Sequence, residues 1–237
     1  MMVSPLRKPP LPVSCLRSMH ERVLLLSSKS ANRPSAASKT MEADLLIRAF
    51  RGDDASAVRT LFERVNRELA PPGLRERFEQ YITIALRDEI NRIPDYYGSS
   101  PGRGFWVAED PSGALIGFFG LEPAGDDSSE LRRMYVAPEC RRRGVGRTLL
   151  AEAERLCVLA GLHRLVLSTS ELQPAAVSLY RRAGYRLIRE ESAGEATHKT
   201  VGGGLRRFHF EKTLANEIRN GENPDGAGGG PSRRRCG

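Results

Sequence analysis

From Leu131 to Leu150 the chain reads Leu-Arg-Arg-Met-Tyr-Val-Ala-Pro-Glu-Cys-Arg-Arg-Arg-Gly-Val-Gly-Arg-Thr-Leu-Leu, and no other stretch restricts the fold as much. The pattern is a strand, a short loop rich in guanidinium and glycine, then an amphipathic helix. That order aims backbone N–H groups, the positive end of a helix dipole and the side chains of Arg141, Arg142, Arg143 and Arg147 at one point. Such a point suits a pyrophosphate. Glycine at 144 and 146 lets a phosphate approach the backbone where a Cβ would hold it off. A Walker loop needs Gly-Lys-Ser/Thr, which the segment lacks. A dinucleotide fingerprint needs a third glycine or alanine where Leu149 stands.

Arg141-x-x-Gly144-x-Gly146 resembles the coenzyme A loop of the GNAT acyltransferases. The resemblance continues downstream. After the helix comes an apolar strand, Leu165-Val-Leu-Ser-Thr-Ser170. Then Gln173-Pro-Ala-Ala-Val-Ser-Leu-Tyr-Arg-Arg-Ala-Gly-Tyr185 is similar to that family's Asn-x-x-Ala-x-x-x-Tyr-x-x-x-Gly-Phe, with Gln173 for asparagine and Tyr185 for phenylalanine. Upstream, Gly104-Phe-Trp-Val-Ala-Glu109 and Gly113-Ala-Leu-Ile-Gly-Phe-Phe-Gly120 read as the hairpin before the cofactor strand. The similarity spans about Leu45 to Leu214. In wording it resembles the camello-type branch, whose known members acetylate amino groups of small amino-acid derivatives.

The patterns give a matching element order. Leu45–Phe50 reads as a strand. A helix capped by Asp53 or Asp54 carries Ala57, Val58, Leu61, Phe62 and Val65 at three-and-four spacing. Ala70-Pro-Pro-Gly73 breaks it, and a second helix runs from about Leu74 to Ile90 with Phe78, Tyr81, Ile82 and Ala85 on one side. The cofactor strand covers about Glu130 to Val136. A helix from Val145 to Ala160 faces the core through Leu149, Ala153, Leu156 and Ala160 and ends at Gly161. A strand (164–169), a helix (174–182) and strands at 185–189 and 205–214 complete the order. Together these make an α/β domain over residues 41–214: the GNAT acyl-CoA N-acyltransferase fold, with a central, mostly antiparallel mixed sheet and helices on both faces.

Charge bounds the partners. The 237 residues carry 37 Lys/Arg and 29 Asp/Glu, but the excess is uneven. Residues 1–40 hold seven Lys/Arg against Glu21 alone, while residues 41–214 hold 26 basic and 25 acidic side chains. A nearly neutral folded part argues against a nucleic-acid-binding role. Residues 1–40 are rich in Pro, Ser and Arg, and their one apolar run, Val23-Leu-Leu-Leu26, is too short to span a bilayer. They read as an untranslated extension before a start at Met41, with a transit segment or a disordered tail as the other readings. Residues 215–237, dominated by Gly, Pro and Arg, read as disordered. The four cysteines (Cys15, Cys140, Cys157, Cys236) show no metal spacing and no disulfide framework. They suit a reducing compartment, and the expected location is cytoplasmic, without a membrane partner. Cys140 has no histidine near it in sequence to activate it as a nucleophile. No metal is expected, and the chain is expected as a monomer or homodimer.

The resemblance implies a role for each site residue, with acetyl-CoA as the co-substrate. The cofactor strand splays from its neighbour at a bulge, and an exposed N–H near Tyr135 or Val136 polarises the thioester oxygen, the work of an oxyanion hole. Val136 and the loop after it hold the pantetheine arm, with Met134 and Tyr135 also binding the cofactor. The pyrophosphate sits on the amides of Arg142, Arg143, Gly144, Val145, Gly146, Arg147 and Thr148, with Arg141 and Arg143 as clamps. Ser168 and Gln173 complete the cofactor wall. Tyr180 is the general acid that protonates the departing sulfur. Glu130, opening the cofactor strand, is the base for the amine, with Glu109 and Glu122 as other hairpin carboxylates. His198-Lys-Thr-Val-Gly-Gly-Gly-Leu-Arg-Arg207 would clamp an acceptor carboxylate through Arg206 and Arg207. The expected activity is acetyl transfer to a primary amine of a small molecule or peptide. A non-catalytic acyl-CoA-binding module and a protein N-terminal or lysine acetyltransferase are the alternatives.

Overall fold

The computed structural model describes residues 45–98 and 102–214; the expectations for residues 1–40, for Met41 and for residues 215–237 lie outside them. Seven strands form one sheet: β1 (Leu46–Ala49), β2 (Gly104–Glu109), β3 (Leu115–Gly125), β4 (Ser128–Val136), β5 (Arg164–Ser170), β6 (Arg186–Ser192) and β7 (Arg206–Thr213). The spatial order is β1-β2-β3-β4-β5-β7-β6. Only β4 and β5 run parallel; every other pair is antiparallel. Five helices cover the sheet: α1 (Ala55–Leu69), α2 (Arg75–Asp88), α3 (Ile93–Gly98), α4 (Val145–Leu159) and α5 (Pro174–Arg182).

Period-two alternation sends the hydrophobic side chains of β2 and β3 to two cores. On one face Phe105 stacks on Phe118 at 5.4 Å, and Phe62 of α1 meets Tyr135 edge-on at 5.7 Å. On the other, Trp106 stacks on Phe119 at 5.3 Å. There α4 presses so close that a Cβ on Gly117 would stand 3.1 Å from the Leu149 side chain. Leu149, Leu150, Ala153, Leu156 and Cys157 are buried along α4, and Val58, Leu61, Phe62 and Val65 along α1. Ala57, grouped with them by spacing, is exposed.

Several boundaries differ from the sequence reading, each for a physical reason. β3 does not stop at Gly120 but runs on to Gly125. The glycine admits a neighbour rather than breaking the strand, since a Cβ there would lie 2.6 Å from the Tyr97 hydroxyl. That tyrosine belongs to α3, which the sequence reading lacked; Pro94 is tolerated in its first turn because the N–H it removes has no helical partner there. Asp54 occupies the N-cap of α1, yet its carboxylate makes no cap bond to the helix. It takes the Arg48 guanidinium at 2.7 and 2.8 Å and the Arg51 N–H at 2.7 Å instead. A bidentate guanidinium–carboxylate pair has charge on both partners, which a cap bond to a backbone N–H lacks. β6 extends to Ser192 through Arg189-Glu-Glu, an edge strand whose exposed faces leave no hydrophobic period.

Candidate active site

The site originates where two strands part. β4 pairs with β5 only from Ser128↔Arg164 to Leu131↔Leu167. Beyond that, β5 continues along β7, with Ser168, Thr169 and Ser170 facing His209, Phe208 and Arg207. β4 continues along β3 alone, with Gly117↔Val136 and Phe118↔Tyr135 in register. A cavity of about 160 Å³ opens in the fork, between β4, β5, α5, the α1–α2 face and the loop before β7.

A bulge shapes the β4 edge of the fork. The register shifts between Phe118 and Gly120, and Arg133 opposite the shift has φ +55°. A left-handed backbone costs a residue with a Cβ about 1–2 kcal/mol. The Ala137 N–H donates to the Ile116 carbonyl at 2.8 Å, toward β3. Donors alternate along a strand, so Tyr135 also donates toward β3, while the Met134 and Val136 N–H groups turn to the edge that β5 has left. Of the two amides expected near the thioester, the geometry therefore favours Val136 over Tyr135 and adds Met134.

The loop after β4 is built as the sequence suggests, with two departures. Gly144, at the N-cap of α4, has φ +90°, and Arg142 has φ +62°. The Val145 and Gly146 N–H groups open the helix, where no intrahelical acceptor exists. The Arg147 and Thr148 amides, however, donate to the Gly144 carbonyl at 2.8 and 3.1 Å, so they belong to the helix ladder rather than to an anion. The Arg141 guanidinium reaches Glu68 at 2.8 Å and the Val136 carbonyl at 3.4 Å, toward α1 and the end of β4. At Gly146 an added Cβ would meet only Leu179 at 3.5 Å and Val136 at 3.9 Å, ordinary contacts. The protein itself would accept alanine there. A glycine-lined helix N-terminus at the mouth of an open strand edge fits the pyrophosphate and pantetheine of coenzyme A.

Tyr180 lines the cavity from α5, its ring 5.9 Å from Tyr185 and 6.0 Å from Phe210. Burial raises its phenol above the ordinary tyrosine value, which keeps it a proton donor. Ser168 accepts a hydrogen bond from Arg207 Nη2 at 2.6 Å, and Gln173 Oε1 accepts one from the Thr169 hydroxyl at 3.0 Å. The two arginines of the expected clamp separate, as neighbours on a strand must. Arg207 lines the cavity, whereas Arg206 turns outward to Glu171 at 3.2 Å.

The three carboxylate candidates are told apart by their partners. Glu130 lines the cavity with the Lys199 ammonium 3.1 Å away. Glu122 is buried and takes Lys199 at 2.6 Å, Arg132 at 2.7 Å and the Tyr96 hydroxyl at 2.9 Å. Burial alone would raise its carboxyl, but the Arg132 charge and these bonds outweigh that and bring it down to about 2. A carboxylate so saturated is a poor base. Glu109 pairs with Arg48, on the β1–β2 side of the sheet. Cys140 is buried, and burial pushes its thiol up, away from nucleophilic chemistry. Among the described residues no group of three or more His, Cys, Asp or Glu could hold a metal ion, and no helix is long and apolar enough to cross a membrane.

Sequence reasoning missed the buried charges behind the fork. Glu89, 0% exposed, binds Arg132 and Arg133 at once, and its carboxylate also accepts the Tyr97 hydroxyl. Burial opposes the Glu89 charge, but Arg133 outweighs it and holds the carboxyl below its usual range. The available signal was the doublet Arg132-Arg133 itself, two cations in succession where a half-buried strand should alternate.

A model of the Acetyltransferase (GNAT) family matches residues 61–185, and the chain belongs to that family. It is 34% identical over 114 residues to N-acetyltransferase family 8 member 3 of Rattus norvegicus, an overlap of 46% of this chain and 50% of that protein. To the probable N-acetyltransferase camello of Xenopus tropicalis it is 30% identical over 129 residues, covering 54% and 58%. The chain thus spans about half the length of these relatives. Its fold resembles spermidine N-acetyltransferase from Vibrio cholerae in complex with CoA and spermine, with TM-score 0.55, 19% identity, and 73% and 96% of the two chains covered.

Proposed function

We propose that this chain transfers the acetyl group of acetyl-CoA to the amine of a small, carboxylate-bearing acceptor by direct attack in a ternary complex. The observation that carries this reading is the fork between β4 and β5, whose cavity brings the open β4 edge together with the Tyr180 phenol, while the glycine-lined N-terminus of α4 follows where β4 ends.

Acetyl-CoA supplies an activated acyl group; the residues supply position and protons. The Val145 and Gly146 amides and the surrounding guanidiniums hold the pyrophosphate, and the Val136 N–H takes the pantetheine arm. The Met134 N–H donates to the thioester oxygen as charge gathers there. Glu130 accepts the amine proton as the new N–C bond forms. Tyr180 gives its proton to the sulfur as the C–S bond breaks, and it regains one from solvent. Arg207, held by Ser168, faces the acceptor carboxylate.

The acceptor class follows from charge. Arg132 and Arg133 are neutralised behind the cavity by Glu89 and Glu122, so the cations it presents are Lys199, paired with Glu130, and Arg207. An acceptor with several ammonium groups meets these cations, whereas an amino-acid-like acceptor offers one carboxylate to a guanidinium and one amine to Glu130. Thiol release from acetyl-CoA, followed with the full chain against L-amino acids, spermidine and lysine peptides, tests this. Turnover with amino acids is expected. Turnover only with spermidine or peptides overturns the acceptor class, and acetyl-CoA binding without any turnover favours a non-catalytic acyl-CoA-binding module.

A further inference from the structure

In a regular strand Arg132 and Arg133 would point to opposite faces. Here both converge on one buried carboxylate. Arg132 Nη2 donates to Glu89 at 2.9 Å, and Arg133 donates through Nε at 3.1 Å and Nη2 at 2.7 Å. Arg133 also donates to the Tyr81 hydroxyl and the His198 carbonyl, and its side chain is 4% exposed. The convergence depends on the left-handed backbone of Arg133, φ +55°, which turns its side chain to the same side as its neighbour's. The dependence also runs the other way. An arginine does not keep a left-handed backbone unless its surroundings over-determine it, and the buried anion that needs both cations provides that hold.

Glu89 itself sits at the break after α2, with φ −141° and ψ −62°, next to the 3-10 turn Ile90–Arg92. It ties the helical face of the domain to the bulge of β4. The bulge decides which way the Met134 amide points, and nothing in the chemistry described above otherwise uses Glu89. We infer that Glu89 is a positioning residue: acting through Arg133, it holds the β4 bulge that turns the Met134 N–H into the fork. This rests on the acetyl-transfer reading of the fork. The glycine loop that binds the pyrophosphate is a separate structure, so loss of Glu89 acts on turnover rather than on cofactor affinity.

The buried charges suggest a test that a purely structural role would not pass. Glu89 and Glu122 balance Arg132 and Arg133, so removing Glu89 and Arg133 together leaves one pair intact. Glycine takes a positive φ freely, and alanine does not. Four full-length proteins are compared: wild type, Glu89→Gln, Glu89→Gln/Arg133→Gly and Glu89→Gln/Arg133→Ala. Acetyl-CoA affinity is measured by calorimetry, and kcat by thiol release with the L-amino acid that wild type turns over fastest. Glu89→Gln is expected to lose about a hundredfold in kcat, the cost of one oxyanion donor, with acetyl-CoA Kd within about threefold. The glycine double variant is expected to recover to within about tenfold of wild type, because glycine keeps the bulge unaided; the alanine double variant is not. Equal rates in the two double variants, or wild-type kcat in Glu89→Gln, overturn the inference. Should Glu89→Gln fail to fold, the charge-balanced glycine and alanine pair decides alone. Failure of folded wild type to bind acetyl-CoA overturns the functional reading instead, a result distinct from either.

Discussion

Arg207 Nη2 donates to the Ser168 hydroxyl at 2.6 Å, fixing a guanidinium on the cavity wall between β5 and β7, while Arg206 beside it bonds Glu171 on the outer side. Two adjacent arginines with the same chemistry thus take partners on different sides, separated by the two-residue period of the strand.

Arg207→Gln should therefore raise the acceptor KM by about 10- to 100-fold, the value of a hydrogen bond to a charged group, with acetyl-CoA affinity kept. Arg206→Gln should change the acceptor KM less than about twofold. Steady-state kinetics with an amino-acid acceptor checks both, and equal effects would refute the division.

Burial raises the Tyr180 phenol, so it is protonated at every working pH and can only give a proton. Tyr180→Phe is expected to lower kcat about 10²-fold or more with little change in acetyl-CoA Kd. The wild-type pH–rate profile should show no fall from this group below pH 10, because its ionisation lies above the ordinary tyrosine value of 10.0. Unchanged turnover in the phenylalanine variant would leave Tyr180 a packing residue.

The two loop glycines should separate stability from binding. Gly144→Ala places a Cβ on a backbone with φ +90° and should cost about 1–2 kcal/mol. Gly146→Ala meets only ordinary contacts, so its Tm should be unchanged or higher. Both should weaken CoA binding. A calorimetric titration paired with a melting curve measures this, and Gly146→Ala with wild-type CoA affinity would remove that position from the cofactor site.

Glu122 sets an acid limit on stability. Its folded-state carboxyl lies at about 2 against an ordinary 4.5. A group lowered in this way stabilises the fold fully above 4.5, and the contribution is lost as pH falls from 4.5 toward 2. The difference is on the order of 3 kcal/mol at most, at 1.36 kcal/mol per unit. Glu122→Gln should be less stable at pH 7, with a shallower loss across that acid range. Urea melts at pH 7, 4 and 3 give the comparison.

Much of this was legible in the sequence where function and local pattern coincide. The glycine–arginine loop announces α4, and the three-and-four spacing of Val58, Leu61, Phe62 and Val65 announces α1. The order of strands around Tyr180 follows from the segments on either side of it. What stayed hidden depends on contacts between distant segments. Glu89 and Arg133 are 44 residues apart in the chain, and nothing local marks Glu89 as buried at the end of an amphipathic helix. Gly120 reads as a strand end until the Tyr97 hydroxyl is seen against it. Of Arg206 and Arg207 only the second lines the cavity, because a motif names residues while strand phase decides which of them faces it. The Arg147 and Thr148 amides went to the helix ladder because the Gly144 carbonyl at the N-cap lies within their reach.

In the proposed function acetyl-CoA occupies the fork between β4 and β5 with its pyrophosphate on the loop at Gly144. Calorimetric titration of the full chain with acetyl-CoA, repeated on Gly144→Glu, tests it most directly. One saturable site is expected in the wild type, and its loss in a variant that remains folded. Absence of heat from a folded wild-type protein, or undiminished binding in Gly144→Glu, would contradict it.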